Sequence, residues 1–271
     1  GLCVKNPLSG TQIGVSLDIP SGLSLQEGWT RAANAYGTPE SVRIFHPGLP
    51  TNWNAATVAK GADISVSFKV PPAEVLTGKH DAKLRSWFRS APNDVEIYWT
   101  YFHEPENDMS KGEFAAADYR AAWKRIVDIS RETCEPNLHA TLVLMDWTVD
   151  PRSNRSFNDY YPGSAYIDVL AWDPYNPWNG TVYRDPKLIF GPIVEASRAA
   201  GKPFAVAETG SLLLPGDDGS GRAAWLTESA RYLREQGALF VTYFDTQTPK
   251  GNDFRLNDQK SKDAWRDAIK K

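Results

Sequence analysis

Short apolar runs alternate with amphipathic stretches along the whole of this chain, and that alternation constrains the fold more than any other feature. Runs at 12–18, 41–46, 63–70, 95–104, 139–147, 167–175, 204–210 and 238–245 are rich in β-branched and aromatic residues and read as eight strands. Between them, helical spacing is found at 23–36, 54–60, 80–90, 113–134, 185–200, 221–236 and 261–271. Gly37-Thr38-Pro39, Pro47-Gly48, Pro71-Pro72 and Gly201-Lys202-Pro203 punctuate the series where a helix or strand has to stop. Strands this short and this uniformly apolar suit a parallel sheet covered on both faces. Eight strands with six or seven helices is the count of a (β/α)8 TIM barrel in the α/β class, and 271 residues suit a single domain spanning 1–271. A doubly wound open sheet is the alternative. The regularity of eight units and the lack of a Gly-rich phosphate loop favour closure.

A net charge of −3 with interspersed signs gives no reason to expect nucleic acid or an anionic membrane as partner. No apolar run approaches the ~20 residues that cross a bilayer. Cys3 and Cys134 are either one disulfide, which suits a secreted protein, or two unrelated thiols. The start at Gly1 without Met or signal peptide reads as a processed or recombinant mature form. Secretion and a monomeric state are the expectations.

In a barrel of this kind the site is built at the C-terminal ends of the strands. Asp18, Arg43, His46, Lys69, His103, Glu104, Asp146, Trp147, Trp172, Asp173, Tyr175, Glu208, Tyr243 and Asp245 all fall there. Two of them stand out. Glu104 ends the run Val95 to His103 immediately before Pro105, and Glu208 ends Phe204-Ala205-Val206-Ala207 immediately before Thr209-Gly210. An ion at the end of a buried strand is costly unless it is paired or used, so the two carboxylates are read as a catalytic pair facing each other across the barrel mouth. Two carboxylates about one bond are the equipment of glycoside hydrolysis. On this reading Arg43 and Tyr175 keep Glu208 ionised, and Glu104, facing that charge, is the one held protonated. The alternative is that each is a rim carboxylate satisfied by an arginine.

The pair His103-Glu104 after the fourth strand, with Glu208 after the seventh, resembles the retaining hydrolases of the large (β/α)8 glycosidase clan. Histidine before the acid resembles glycoside hydrolase family 26, known chiefly for β-mannanases, with lichenases and β-1,3-xylanases beside them. Ala171-Trp172-Asp173-Pro174-Tyr175 resembles that family's Asp-x-Tyr segment, and Ala207-Glu208-Thr209-Gly210 its nucleophile segment. The resemblance implies Glu104 as acid/base, Glu208 as nucleophile, His103 near the sugar 2-hydroxyl and Tyr175 donating to the nucleophile.

The implied substrate is a β-linked polysaccharide or oligosaccharide such as mannan, cut internally, without cofactor or metal. Mixed-linkage glucan, xylan and arabinan are alternatives, as are a noncatalytic sugar-binding barrel and a metal-dependent hydrolase using His46, His103 and Asp173. The chain holds 10 Trp and 11 Tyr, and flat rings pack well on the C–H face of a sugar. Trp53, Trp147, Trp172, Trp178 and Tyr243 are the candidate platforms, with Arg43, His46, Lys69 and Asp173 as candidate polar contacts to substrate. Glu106 reads as a solvated charge leading a helix.

Overall fold

A computed structural model describes residues 3–270. The start at Gly1, read above as a processed form, lies outside them. The eight strands are β1 (Gln12–Ser16), β2 (Ser41–His46), β3 (Asp63–Phe68), β4 (Ile97–Tyr101), β5 (Leu138–Leu144), β6 (Val169–Trp172), β7 (Phe204–Thr209) and β8 (Phe240–Tyr243). Each pairs in parallel with the next, and β8 pairs with β1, so the sheet closes into a barrel. The helices are α1 (Leu25–Tyr36), α2 (Asn54–Val58), α3 (Pro72–Leu76), α4 (Asp81–Arg89), α5 (Glu106–Ser110), α6 (Ala116–Arg131), α7 (Pro186–Ala199), α8 (Ser220–Glu235) and α9 (Gln259–Lys270). The expected (β/α)8 fold is the observed one. None of the described helices is long and apolar enough to cross a membrane.

The period of two along each strand divides the molecule into layers. Tyr98, Val143, Val169, Ala171, Ala205, Ala207 and Phe240 fill the barrel interior. Residues of the opposite parity, such as Ile97, Trp99, Leu142, Leu144, Leu170, Trp172 and Val206, join the larger core between sheet and helices. Helix α1 shows why its ends fall where they do. Ser24 accepts from the Glu27 backbone N–H while the Glu27 carboxylate accepts from that of Ser24, and Gly37 ends the helix at φ 75°.

Three differences from the sequence reading have local causes. The fourth strand ends at Tyr101, short of 104, because Phe102 and Glu104 take left-handed backbone angles. The polar stretch 148–163 is built of short 3-10 turns, including Pro151–Ser153 and Phe157–Asp159. Helices α3 and α5, of 5 residues each, were too short to show a periodic stripe. Cys3 and Cys134 are joined in a disulfide, their Cα atoms 5.1 Å apart. It pins the leading segment under the N-terminal end of the barrel, where the Asn6 N–H donates to Pro136 O and its side-chain amide donates to Glu96.

Candidate active site

Strict alternation does not deliver the two carboxylates to one place; each arrives by a break in it. In β7, Ala205 and Ala207 face the interior, which would turn Glu208 outward. Between Val206 and Thr209 the register against β8 slips, three residues of β7 spanning two of β8, from Val241 to Tyr243. This bulge brings the Glu208 side chain inward. At the end of β4, Phe102 at φ 48° and Glu104 at φ 50° reset the chain, so that His103 and Glu104, neighbours in sequence, both face the axis. A left-handed non-glycine residue costs about 1–2 kcal/mol. Two in three residues, with Glu104 N–H anchored on Val143 O at 2.9 Å, mark this segment as held by its surroundings.

One oxygen from each of Glu104 and Glu208 and a ring nitrogen of His103 lie within 4.8 Å of one another. Among the described residues this is the group with the spacing to hold a metal ion. The set His46, His103 and Asp173 is not assembled, since His46 lies on the outer parity of β2 beside Trp87, ring centroids 6.3 Å apart.

The environments of the two carboxyls differ. The Tyr175 hydroxyl donates to Glu208 Oε2 at 2.7 Å. Burial pushes the Glu208 carboxyl up, while the positive charges of Arg43 and Lys69 and the tyrosine bond pull it back. No ion pair holds Glu208 among the described residues. Arg43 acts across a gap, its guanidinium buried over the Phe45 ring at 4.4 Å with Nε and Nη2 unpaired by protein groups. Burial, with the Glu208 and Glu106 charges, pushes Glu104 up to about 8. Asp173, buried beside it, is pushed far above the usual carboxylate range by burial and by Glu208 and Glu104, and neither of its oxygens is paired with a protein donor. The charge of Glu208 acts on both Glu104 and Asp173, so Glu208 ionises first and the other two hold their protons longer. Burial and the Arg43 and Lys69 charges keep His103 neutral.

A cleft of about 420 Å³ opens over the pair, lined by Glu104, Met145, Asp146, Asp173, Tyr175, Asn176, Pro177, Trp178, Glu208, Phe244 and Thr248. Trp178 is 49% exposed and stands edge-on to Tyr175, centroids 5.8 Å apart. Trp147 is 40% exposed at the rim after β5, with the Arg152 guanidinium over its ring at 5.2 Å. Lys69 reaches across the Phe102 ring at 4.9 Å.

Three expected substrate contacts are corrected. Trp172 is buried outside the barrel, its indole N–H donating to Ser197 Oγ, because Ala171 and Asp173 take the inward parity. Tyr243 is likewise buried outward, its hydroxyl donating to Phe254 O at 2.6 Å and its ring against Trp265. His46 faces the helices for the same reason of parity. Their inward neighbours in sequence are the residues missed: Phe244 lines the cleft, and Phe45, 38% exposed, lies 5.3 Å from His103 between ring centroids. Trp53 stacks on Trp87 at 4.2 Å, so one of its faces is already covered. Asp18 and Asp245 are tied into a structural network, Asp18 accepting from Ser21 and Thr246 and Asp245 from Tyr36 and Arg31.

No family model matches the chain. The mannan endo-1,4-β-mannosidase of Bacillus subtilis is 34% identical over 107 residues, 39% of this chain and 26% of that protein. The chain thus spans about a quarter of the length of the curated relative it matches. Among solved structures, an exo-β-1,4-mannosidase from Opitutaceae bacterium strain TAV5 superposes with a TM-score of 0.74 at 14% identity, covering all of this chain and 61% of that one. The catalytic domain of a family 26 endo-β-1,4-mannanase from Bacillus sp. JAMB-750 gives 0.63 at 15% identity over 97% of this chain and 86% of that domain. The chain is similar to family 26 mannanases. That likeness agrees with the resemblance carried by His103-Glu104, Asp173 and Tyr175, and Glu208.

Next to this family-like pair, Glu106 departs from its reading as a solvated charge. It is fully buried and accepts from the Met145 N–H at 2.7 Å and the Thr148 hydroxyl at 2.6 Å. Glu106 thereby ties the segment after Glu104 to the loop after β5. Replacing it with alanine leaves both donors unpaired, and we expect a loss of ~2–4 kcal/mol of stability by chemical denaturation, larger than for a rim carboxylate such as Asp150.

Proposed function

We propose that the chain is a retaining glycoside hydrolase acting on a β-linked mannan, with Glu208 as nucleophile and Glu104 as acid/base. The observation that carries this reading is the approach of the two carboxyls, with oxygens within 4.8 Å, in environments that ionise one and protonate the other. A separation of about 5–5.5 Å between carboxyl groups suits direct attack, whereas inversion needs room for a water and roughly 6.5–9.5 Å.

In the first step a Glu208 oxygen bonds to the anomeric carbon. The electron pair of the breaking C–O bond stays on the glycosidic oxygen, which takes the proton of Glu104. In the second step water gives a proton to the Glu104 carboxylate as its oxygen bonds to the anomeric carbon and Glu208 leaves. Tyr175 fixes the attacking carboxylate through its 2.7 Å bond, and the proton on Asp173 keeps a third negative charge out of the site. Neutral His103 is disposed toward the sugar hydroxyl next to the reacting carbon, and Trp178 offers a ring face on the cleft wall.

Charge favours a neutral sugar. The lining carries Glu104, Asp146, Asp173 and Glu208 and no cation, so a uronic acid has no partner among those residues. The cleft opens to solvent, which suits internal cutting of a chain. Purified protein assayed on soluble mannan, mixed-linkage glucan, xylan and arabinan, with sizing of products, tests the reading. We expect mannan to be cut to mixed oligosaccharides; activity on another glycan alone overturns the substrate, and inactivity on all overturns the hydrolase.

A further inference from the structure

Asp146 stands in the catalytic cleft and has no part in the scheme above. It follows β5, the strand beside β4, and Glu104 itself is anchored to β5 through its N–H bond to Val143 O. Asp146 therefore flanks the acid/base residue. Asp146 opens the 3-10 turn Asp146–Val149 at the end of β5. Among the described residues it forms no ion pair, and burial, with the like charge of Asp150, pushes its carboxyl up to about 6.

Its near neighbour Glu106 makes the contrast. One Glu106 oxygen is taken up by Met145 N–H and Thr148 hydroxyl, and its role is to hold two loops together. Asp146 holds no other element in place. A carboxylate has about four acceptor positions, and among the described residues no side chain donates to that of Asp146, which lines the cleft. An ion set into a wall without a counter-charge is a cost to the fold that a ligand with several hydroxyl donors would relieve. A ligand anion is unsuited, since Glu104, Asp173 and Glu208 line the same space.

The leaving oxygen receives its proton from Glu104, and Asp146 lines the same cleft on the β5 side of that residue. We propose that Asp146 is a specificity-determining residue that accepts hydrogen bonds from the hydroxyls of the neutral sugar on the leaving-group side of the scissile bond. This rests on the retaining-glycosidase reading. It also implies that sugar leaving groups are favoured over aromatic ones beyond what their acidity dictates.

The test compares two substrates with the same glycone: a manno-oligosaccharide, and an aryl β-mannoside series whose leaving group is dinitrophenolate. The readout is the ratio of kcat/KM for the first to kcat/KM for the second. In Asp146→Ala we expect that ratio to fall by ~10- to 100-fold, the range of a lost hydrogen bond to a charged group, with Asp146→Asn between it and the wild type because one acceptor oxygen remains. A loss of equal size on both substrates overturns the inference, since a structural role lowers both and leaves the ratio unmoved. No change on either overturns it as well. Wild-type protein inactive on both substrates removes the glycosidase reading itself, and the inference with it.

Discussion

Glu208→Ala loses essentially all hydrolysis, with kcat/KM down by at least ~10⁴-fold, while the barrel stays folded. The size of the loss follows from the role. Without a carboxylate oxygen beside Tyr175, no group in the cleft can form the bond to the anomeric carbon, and removing a covalent nucleophile costs about 10⁴–10⁶ in rate. The fold survives because Glu208 does not stabilise it at neutral pH. Its carboxyl is raised by burial in the folded state, so its contribution is present below the ordinary carboxylate range and is lost as pH rises through the raised value. The truncation leaves the Tyr175 hydroxyl without its acceptor, a penalty of about 1–3 kcal/mol that water entering from the cleft reduces. Rate and melting temperature, measured on the same preparation, check both halves. Undiminished turnover removes Glu208 from its role.

For Glu104→Ala we expect a split between substrates. Polysaccharide hydrolysis falls by ~10²–10⁴-fold, because the leaving sugar no longer receives a proton. An aryl glycoside with an acidic phenol needs no such help and is still attacked by Glu208, but the enzyme then stalls, having no base for the incoming water. Azide, which attacks without losing a proton, restores turnover by ~10- to 100-fold and gives a β-glycosyl azide. The pH profile carries the same information. Wild-type activity falls as pH rises through about 8, where Glu104 loses the proton it donates, and the alanine variant lacks that limb. Absence of azide rescue, or an unchanged alkaline limb, counts against Glu104 as acid/base.

The barrel was legible because its signal is distributed. Eight apolar runs and their turn residues each say little, and together they leave few folds. The catalytic pair was legible for a different reason: Glu104 and Glu208 are ions at the ends of runs that can otherwise be buried. How they come to face each other was not. A slip of register in β7 and left-handed angles at Phe102 and Glu104 are tertiary compromises with no glycine to announce them. The opposite error was made at β2, β6 and β8. There the period of two does hold, and counting from Arg43, Asp173 and Phe240 places His46, Trp172 and Tyr243 outward and Phe45 and Phe244 inward. That count was available in the sequence. Glu106 was misread because its partners, Met145 and Thr148, are about forty residues away and belong to a loop without periodic pattern.

The anomeric form of the first product released is the most direct measure of whether two carboxyls this close act by double displacement. Proton NMR, recorded during the first minutes of hydrolysis of a β-linked manno-oligosaccharide, separates the new reducing end before mutarotation mixes the forms. With attack by Glu208 and then by water, two inversions in sequence, the β-anomer appears first and the α-anomer grows in at the uncatalysed rate. Initial release of the α-anomer contradicts the account, because it requires a single displacement by water between the carboxyls.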